Sequence, residues 1–515
     1  MFSENTSDTV KVTLLSSSLV IISFLLQFNI GLNLAEEGYL WYGAIETASG
    51  QIPIRDFQSY DPGRYYWAAS WMPLFGKGII SLRLSLAIFQ TIGLTFGLLA
   101  LRRVIRSWRV LFIAGLILLM WMIPRHKTFE SSLAMASVYF AVCLVENPSL
   151  RQHFISGIFI GITAFFGRNH GLYNLLAFSS LILFIRLRLQ KTGLIKHTAV
   201  WAGGILLGYS PMLIMMLMVP GFFDSFWDSF ALVLIRGSTN MALPVPWPWR
   251  FNYSRMTLLR AITLFTTGSF FLLLPLFHIF AVIYSLTSKK EHLKKASLLT
   301  ASGIVGIIYM HYAFARADVG HLAHGITPLL TGMLALPFVL NINSKKILCS
   351  TGLIIISVMT FFSAGTQSWR YLKATAPGAF IKSDIAGDDL WISRRDAQYI
   401  EAVKHINSRL ISPEEGLLFV PWQPTMYPIL RRKSPLRELW FLDLQTETRQ
   451  KEMIEQLEQK NVNWIILNNF ALDGRDELRF SNTHKLLWKY FQEHYDLIGV
   501  PDLHAGERLL HRKQK

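Results

Sequence analysis

The stretch LAEEGYLWYGAIETASGQIPIRDFQSYDPGRYYWAASW, residues 34–71, sets how the chain is organised. It directly follows the first long apolar run and holds four acids outside ordinary helix-surface patterning: Glu36, Glu37, Asp56 and Asp61. Aromatic residues and turn-forming glycines and prolines surround these acids. Carboxylates placed where a helix leaves a bilayer are costly to desolvate, so they usually serve a function. The remainder of the chain is therefore interpreted as the scaffold of this loop.

The composition is that of a membrane protein. Of the 515 residues, 52% are hydrophobic and 16% are charged, whereas a soluble chain carries roughly 25% charged residues. Repeated apolar runs of about 20 residues predict a polytopic α-helical membrane protein. The net charge of +17 gathers in short loops, as the positive-inside rule requires, and no basic module of the usual kind occurs. We therefore expect membrane lipids as partners and no nucleic acid.

Eleven transmembrane helices are predicted. They cover residues 12–32, 79–100, 108–123, 128–146, 153–167, 172–189, 198–219, 259–284, 296–315, 322–341 and 346–365. The first run is longer than the apolar region of a signal peptide and lacks an A-x-A site, so we interpret it as a retained span. Lysine and arginine fill one set of alternate loops, which predicts a cytoplasmic N-terminus and an extracytoplasmic C-terminal region.

The composition changes near residue 366, which divides the chain into two predicted domains. Residues 1–365 form a transmembrane module whose first outer loop is 33–78, and residues 366–515 form a soluble extracytoplasmic α/β domain. Alternating and apolar segments predict short strands at 416–420 and 464–467, and amphipathic patterns predict helices at 397–409 and 449–459. No P-loop or Rossmann fingerprint opens a helix, which argues against a nucleotide site.

Polar clusters outside the helix surfaces all fall on the predicted outer face. They are the Glu36–Asp61 loop, Arg125-His126-Lys127, Arg168-Asn169-His170, the 222–255 loop, and Arg316-Ala317-Asp318 with His321 and His324. A random distribution would have placed them on both faces. The pattern predicts one extracytoplasmic or lumenal site.

The loop acids are the candidate catalytic residues. A carboxylate held near a partly dry aromatic surface has a raised proton affinity and can take a proton from a hydroxyl group, which suits Glu36 or Glu37. A structural alternative is favourable interaction with a helix dipole. Asp56 could instead pair with Arg55 or Arg64, and Asp61 could serve the Asp-Pro-Gly turn. Carboxylates among tyrosines are also the usual lining of a sugar site, so Tyr60, Asp61, Arg64 and Tyr65 are predicted to bind substrate.

The outer-face cations are candidate ligands for a lipid-linked phosphate. Arg125, Arg168, His170, Arg316 and His321 would stabilise a departing phosphate, and Arg168 and Arg316 stand closest to the ends of their spans. Contact with lipid headgroups is the alternative. His321-x-x-His324 alone does not define a metal site, so no metal ligand is assigned. No cofactor is assigned either, and a divalent cation is left open.

The loop resembles the GT-C superfamily of membrane glycosyltransferases, especially the branch of protein O-mannosyltransferases and aminoarabinose transferases. The matching segments are Glu36-Glu37-Gly38-Tyr39 and Gly50-Gln51-Ile52-Pro53-Ile54-Arg55-Asp56-Phe57. Two departures are glutamate in place of the opening aspartate, and Tyr60-Asp61-Pro62-Gly63-Arg64 in place of an aromatic-Pro-Pro segment.

The resemblance implies transfer of a sugar from a polyprenyl-phosphate donor to a hydroxyl group of a glycan, lipid or protein acceptor on the outer face. It implies that Glu36 or Glu37 matches the family's loop acid and Asp56 its second acid, with Arg168 and Arg316 as phosphate contacts by analogy. A bacterial inner membrane is the expected location. The alternatives are a surface-glycan polymerase or ligase, whose essential arginines would lie in a later loop, and a lipid-linked sugar transporter or flippase, which predicts acids near the bilayer midplane.

Overall fold

The computed structural model describes residues 6–189, 193–236, 242–340, 346–364, 378–500, 503 and 506–513. The chain divides into two compact units. The helical unit comprises the described residues of Met1–Gln27 and Arg83–Arg370, and the mixed unit comprises those of Phe28–Leu82 and Tyr371–Lys515. The first outer loop thus groups with the C-terminal residues. The predicted domain boundary at 365/366 lies outside the described residues.

Helices account for most of the first 364 residues. They are α1 (Thr6–Leu25), α2 (Glu36–Ala48), α3 (Pro62–Phe75), α4 (Ile79–Arg102), α5 (Trp108–Met120), α6 (Thr128–Glu146), α7 (Leu150–Phe166), α8 (Arg168–Arg188), α9 (Leu194–Gly208), α10 (Ser210–Met218), α11 (Phe222–Arg236), α12 (Leu258–Thr287), α13 (Lys290–Lys295), α14 (Ser297–Ala315), α15 (Val319–Gly325), α16 (Thr327–Val339) and α17 (Lys346–Ala364). Most of them are apolar, as a bilayer requires, although α13 is charged. A helix also satisfies its own backbone hydrogen bonds in hydrocarbon.

Within the described residues, six helices are long and apolar enough to cross a membrane, or up to eight when two bent pairs each count as one span. The bent pairs are α9 with α10 and α15 with α16, at 55° and 60°, and α5, α7 and Thr351–Ser363 are shorter apolar helices. The chain is a multi-pass membrane protein. Each of the eleven predicted segments overlaps one of these apolar helices, and the number of crossings stays a prediction.

The first predicted span ends earlier than its apolar run. Helix α1 ends at Leu25, whereas the run continues to Leu32. Turns at residues 26–29 follow the helix, and Ile30 then pairs with Trp391. The Trp391 amide donates to the Asn29 carbonyl at 2.8 Å, and its carbonyl accepts from the Gly31 amide at 2.7 Å. Pairing with a distant segment satisfies the same backbone groups that a longer helix would have satisfied.

The rest of the mixed unit contains strands and helices. Its strands are β1 (Phe380–Ile385), β2 (Asp388–Ser393), β3 (Gly416–Val420), β4 (Val462–Asn468), β5 (Tyr495–Ile498) and β6 (Glu507–Arg512), and its helices are α18 (Arg394–Leu410), α19 (Met426–Leu430), α20 (Glu447–Gln459), α21 (Phe480–Thr483) and α22 (Lys485–His494). Strands β1 and β2 form an antiparallel pair, and the other four form a sheet in the order β3-β4-β6-β5. Only β3 and β4 pair in parallel within that sheet, which packs on Met453 and Phe491.

The first outer loop is held by hydrogen bonds to residues 425–440. The Thr425 amide donates to the Leu34 carbonyl at 3.3 Å, and the Gln58 amide donates to the Arg437 carbonyl at 2.7 Å. The Gln58 side chain accepts from the amides of Leu439 and Trp440, both at 2.9 Å. Because irregular backbone cannot satisfy its own polar groups, these contacts fix the conformation of the loop.

Helix α2 approaches residues 425–440 closely at Gly38. A Cβ atom at Gly38 would lie 2.5 Å from the nitrogen and 2.6 Å from the Cα of Thr425, so backbone would have to move. We expect Gly38→Ala to destabilise the mixed unit by about 1–3 kcal/mol, as overpacking does. Thermal unfolding of the full chain in detergent measures this as a lower Tm. The control is Gly203→Ala, where the new methyl group meets nothing within 4 Å. An unchanged Tm for Gly38→Ala would contradict the packing.

Candidate functional site

The two adjacent acids at the start of α2 differ in accessibility. Asn33 prepares this helix start, since its side-chain oxygen accepts from the amides of Ala35 and Glu36 at 3.0 and 2.8 Å. Glu37 is only 1% exposed, and its carboxylate accepts from the Asn33 amide at 3.4 Å. Glu36 is partly exposed. A negative charge on either glutamate is favoured at a helix N-terminus. Of the two, only Glu36 has the solvent access that a proton acceptor needs.

Asp56 is held in place by its neighbours. Arg55 donates to both carboxylate oxygens, at 2.7 and 3.0 Å, and the Ile52 amide donates at 2.7 Å. Burial alone would raise the pKa of Asp56, but the hydrogen bonds from Arg55 and Ile52 outweigh it, so the pKa lies below the ordinary value of 3.8. The ion pair with Arg55 is therefore formed, and it fixes the turn between Ile52 and Phe57.

The segment from Tyr60 to Tyr65 is compact, with Tyr60 partly exposed and the other five residues buried. Asp61 precedes Pro62 in extended backbone, as a residue before proline should, and it is buried at the start of α3. The Arg64 guanidinium lies 5.0 Å from the centre of the Tyr60 ring, a cation–π contact. The buried Tyr65 hydroxyl accepts from the Tyr60 amide at 3.1 Å. The structure thus brings together the four residues predicted to bind substrate.

An aromatic cluster adjoins this segment, and one of its members was not predicted from the sequence. Tyr39 stacks on Trp440 at 4.1 Å between ring centres, and Tyr60 meets both rings edge-on, at 5.1 and 5.9 Å. Tyr60 and Trp440 are partly exposed. Half-buried rings are suitable platforms for the apolar face of a ligand. Trp440 lies about 380 residues along the chain from Tyr60, so local sequence carries no signal of this pairing.

Two of the predicted phosphate ligands in the helical unit contact nearby side chains or backbone. Arg125 donates to the Gln27 carbonyl at 3.0 Å. Arg168 begins α8, donates to the Ser229 hydroxyl at 3.0 Å and covers the Phe226 ring at 5.0 Å. Both arginines are partly exposed. These contacts orient the guanidinium groups at helix ends.

His170 belongs to a buried polar network. The ring is 1% exposed, and its Nδ1 lies 3.1 Å from the Tyr309 hydroxyl. That hydroxyl is also 3.2 Å from the Ser137 hydroxyl and 3.4 Å from the Asn174 amide. Such networks hold helices together in a membrane, which here joins α6, α8 and α14. The burial of His170 favours this structural role over contact with substrate.

Arg316 and His321 share one carboxylate. Asp318 precedes α15 and accepts from the His321 amide at 2.8 Å and from the Arg316 Nε at 3.0 Å. The His321 Nδ1 lies 2.9 Å from the same carboxylate. Burial would raise the pKa of Asp318, but the bonds from His321 and the charge of Arg316 hold it below the ordinary value. No group of three or more metal-ligating side chains occurs among the described residues.

The apolar helices and the polar first outer loop define a class of fold, that of multi-pass membrane proteins with a helical body and a polar first loop. Over 98% of both chains, the structure matches ArnT from Cupriavidus metallidurans bound to undecaprenyl phosphate, with a TM-score of 0.53 and 14% sequence identity. The chain has the fold of ArnT, a GT-C superfamily protein, so the predicted resemblance is confirmed at the level of the fold.

Two further solved structures are similar at lower scores. ArnT from the same organism in the apo state has a TM-score of 0.47, 14% identity and 98% coverage of both chains. The archaeal oligosaccharyltransferase AglB from Archaeoglobus fulgidus, in complex with an inhibitory peptide and a dolichol-phosphate, has a TM-score of 0.48 and 12% identity over 98% of this chain and 74% of its own. No protein-family model and no curated protein matches the sequence.

The ion pair of Asp56 predicts a dependence of stability on pH. Because the pKa in the folded state lies below 3.8, the carboxylate contributes stability that is present above this value and is lost as the pH falls through the folded-state pKa. We expect the wild-type Tm to exceed that of Asp56→Asn near neutral pH, and the difference to shrink between about pH 5 and about pH 3.

Thermal unfolding across this pH range checks the prediction. The exposed Asp496 of β5 provides a matched control, since Asp496→Asn removes an acid outside the loop. A difference for Asp56→Asn that does not change with pH would contradict the ion pair.

Proposed function

We propose that the chain is a glycosyltransferase that moves a sugar from a polyprenyl-phosphate donor to an acceptor hydroxyl on the extracytoplasmic face. The observation that carries this proposal is the accessible carboxylate of Glu36 at the start of α2, in a loop with half-buried aromatic rings. The fold of ArnT supports it, since that protein is bound to undecaprenyl phosphate. A lipid-linked donor also agrees with the lack of a nucleotide motif in the sequence.

Glu36 acts as the general base. Its carboxylate takes the proton of the acceptor hydroxyl while the hydroxyl oxygen attacks the anomeric carbon of the donor sugar. The bond between this carbon and the phosphate oxygen breaks with its electrons on the phosphate, so one displacement inverts the anomeric configuration. Glu37, which is buried and bonded to Asn33, supports the helix start.

Arg168 and Arg316 of the helical unit bind the donor phosphate. The planar guanidinium group matches phosphate oxygens and stays charged as negative charge develops on the leaving group. Ser229 orients Arg168, and Asp318 orients Arg316 together with His321. Arg125 is a further contact. In the mixed unit, the partly exposed ring of Tyr60 contacts the acceptor. The buried Tyr65 and Arg64 hold Tyr60 in place, and Asp61 is buried at the start of α3 beside them.

The membrane topology completes the proposal. We propose eleven spans, with the N-terminus in the cytoplasm and residues 366–515, as an α/β domain, on the extracytoplasmic side. The donor lipid then lies along the spans with its phosphate at the outer interface. A bacterial inner membrane is the proposed location.

The two glutamates are expected to respond differently to substitution. Glu36→Gln removes the base and leaves the fold intact, so sugar transfer should fall by roughly 100-fold or more. Glu37→Gln alters a buried group, so it should lower the Tm and the amount of protein in the membrane. Complementation of a deletion strain, read by mass spectrometry of surface glycans and glycolipids, measures transfer, and the missing mass names the sugar.

Glu455→Gln is the matched control, because Glu455 is an exposed glutamate on α20 of the same unit. It should complement fully. If Glu36→Gln at normal abundance leaves every glycan unchanged, Glu36 is not the base, and a ligase with essential arginines in a later loop or a transporter takes its place.

A further inference from the structure

A cavity of about 320 Å³ lies inside the mixed unit. Its polar lining includes Glu46, Gln51, Lys433, Arg437, Gln456 and Lys460, which come from the first outer loop and from two C-terminal segments. The volume is at the lower end of the range for small-molecule sites. Several convergent polar groups in a cavity of this size indicate a small polar ligand.

The cavity carries an excess of positive charge. The charge of Asp56, which also lines it, is neutralised by Arg55. Arg437 is likewise paired with Glu438 and donates to the Ile54 carbonyl. Glu46 is then the remaining acid beside two cations, Lys433 and Lys460. Lys460 donates to the Pro435 carbonyl at 2.7 Å, and an ammonium group has three donors. The lining therefore favours an anionic group on the ligand.

Glu46 is the buried acceptor of the cavity. It is 7% exposed, and its carboxylate lies 3.7 Å from the Lys433 ammonium. Burial raises the pKa of Glu46, and the charge of Lys433 opposes this effect. A buried carboxylate is stabilised by hydrogen bonds, and a hydroxyl group of a ligand would supply one.

The side-chain amides of Gln51 and Gln456 add hydrogen-bond donors and acceptors that can bind hydroxyl groups. Neither the Gln51 nor the Gln456 side-chain amide hydrogen-bonds to another residue in the part of the chain that the structure describes, although the Gln51 backbone amide donates to the Glu46 carbonyl at 2.9 Å. Each side chain is only partly exposed. Amides and carboxylates bind the alternating donors and acceptors of a sugar ring, whereas a simple inorganic anion would use the cations alone.

We propose that this cavity is a binding site for a small anionic saccharide. The anionic group, a carboxylate or a phosphate, contacts Lys433 and Lys460, and the ring hydroxyls contact Glu46 and the two amides. The proposal concerns binding in the mixed unit and does not rest on the sugar transfer proposed above. Only the further idea that the bound saccharide belongs to the acceptor would rest on that transfer.

Calorimetric titration of the full chain in detergent tests the proposal. The probes are glucuronate, glucose 6-phosphate, glucose and inorganic phosphate. We expect glucuronate or glucose 6-phosphate to bind at least tenfold more tightly than glucose or phosphate alone. Tighter binding of glucuronate identifies the anionic group as a carboxylate, and tighter binding of glucose 6-phosphate identifies it as a phosphate. Either result supports the site.

Substitutions locate the binding. Lys433 is 69% exposed, so Lys433→Gln should fold normally and weaken binding by about tenfold, the size expected for a lost charged hydrogen bond. Glu46→Gln and Lys460→Gln should weaken it similarly. Lys489→Gln is the control, because Lys489 is equally exposed on α22 but does not line the cavity.

Four results would overturn the proposal. Equal binding of glucose would remove the need for an anionic group, and equal binding of phosphate would leave an anion site without a saccharide. Failure of both anionic sugars to bind, or equal loss of binding in Lys489→Gln, would exclude the cavity as the site.

Discussion

The backbone hydrogen bonds between the first outer loop and residues 425–440 are the constraint on which the candidate site depends. The loop contains Pro53 and Pro62 and short helices, so much of its backbone cannot bond within itself. Gln58 compensates by bonding three backbone groups of the distant segment. The positions of the loop acids are therefore set by residues nearly 400 positions later in the chain. This dependence explains why loop and C-terminal residues form one compact unit.

The charged residues of the loop differ in their burial and in their partners. Asp56 is paired with Arg55, whereas Arg64 is buried against the Tyr60 ring. Glu37 is buried against the start of its own helix. A buried charge that is paired or hydrogen-bonded is held in one geometry, because separating it from its partner would leave it desolvated. Glu36 is partly exposed at the start of α2, and its proposed role as general base rests on this access to solvent.

The sequence predicted what depends on local composition. Apolar runs identified the membrane helices because hydropathy is a property of consecutive residues. The strands at Gly416–Val420 and Val462–Asn468 were equally visible as apolar segments. Contacts between distant segments were not visible. Trp440, which completes the ring cluster, and Lys433, which faces Glu46, have no local signature, and the end of α1 at Leu25 follows from pairing with Trp391.

A fold shared with ArnT at 14% identity has a physical explanation. Helices in a bilayer need apolar surfaces and small residues at close contacts, and many sequences supply both. Gly157, Gly161, Gly204 and Gly208 provide such contacts between α7 and α9, where a Cβ atom would meet backbone. Little of the helical body is therefore required to be identical in two proteins that share this fold. The polar residues are under a different constraint, because a ligand is recognised by particular donors, acceptors and charges. We therefore propose that substrate specificity lies in Glu36, the ring cluster and the cavity beside Glu46 rather than in the helical body.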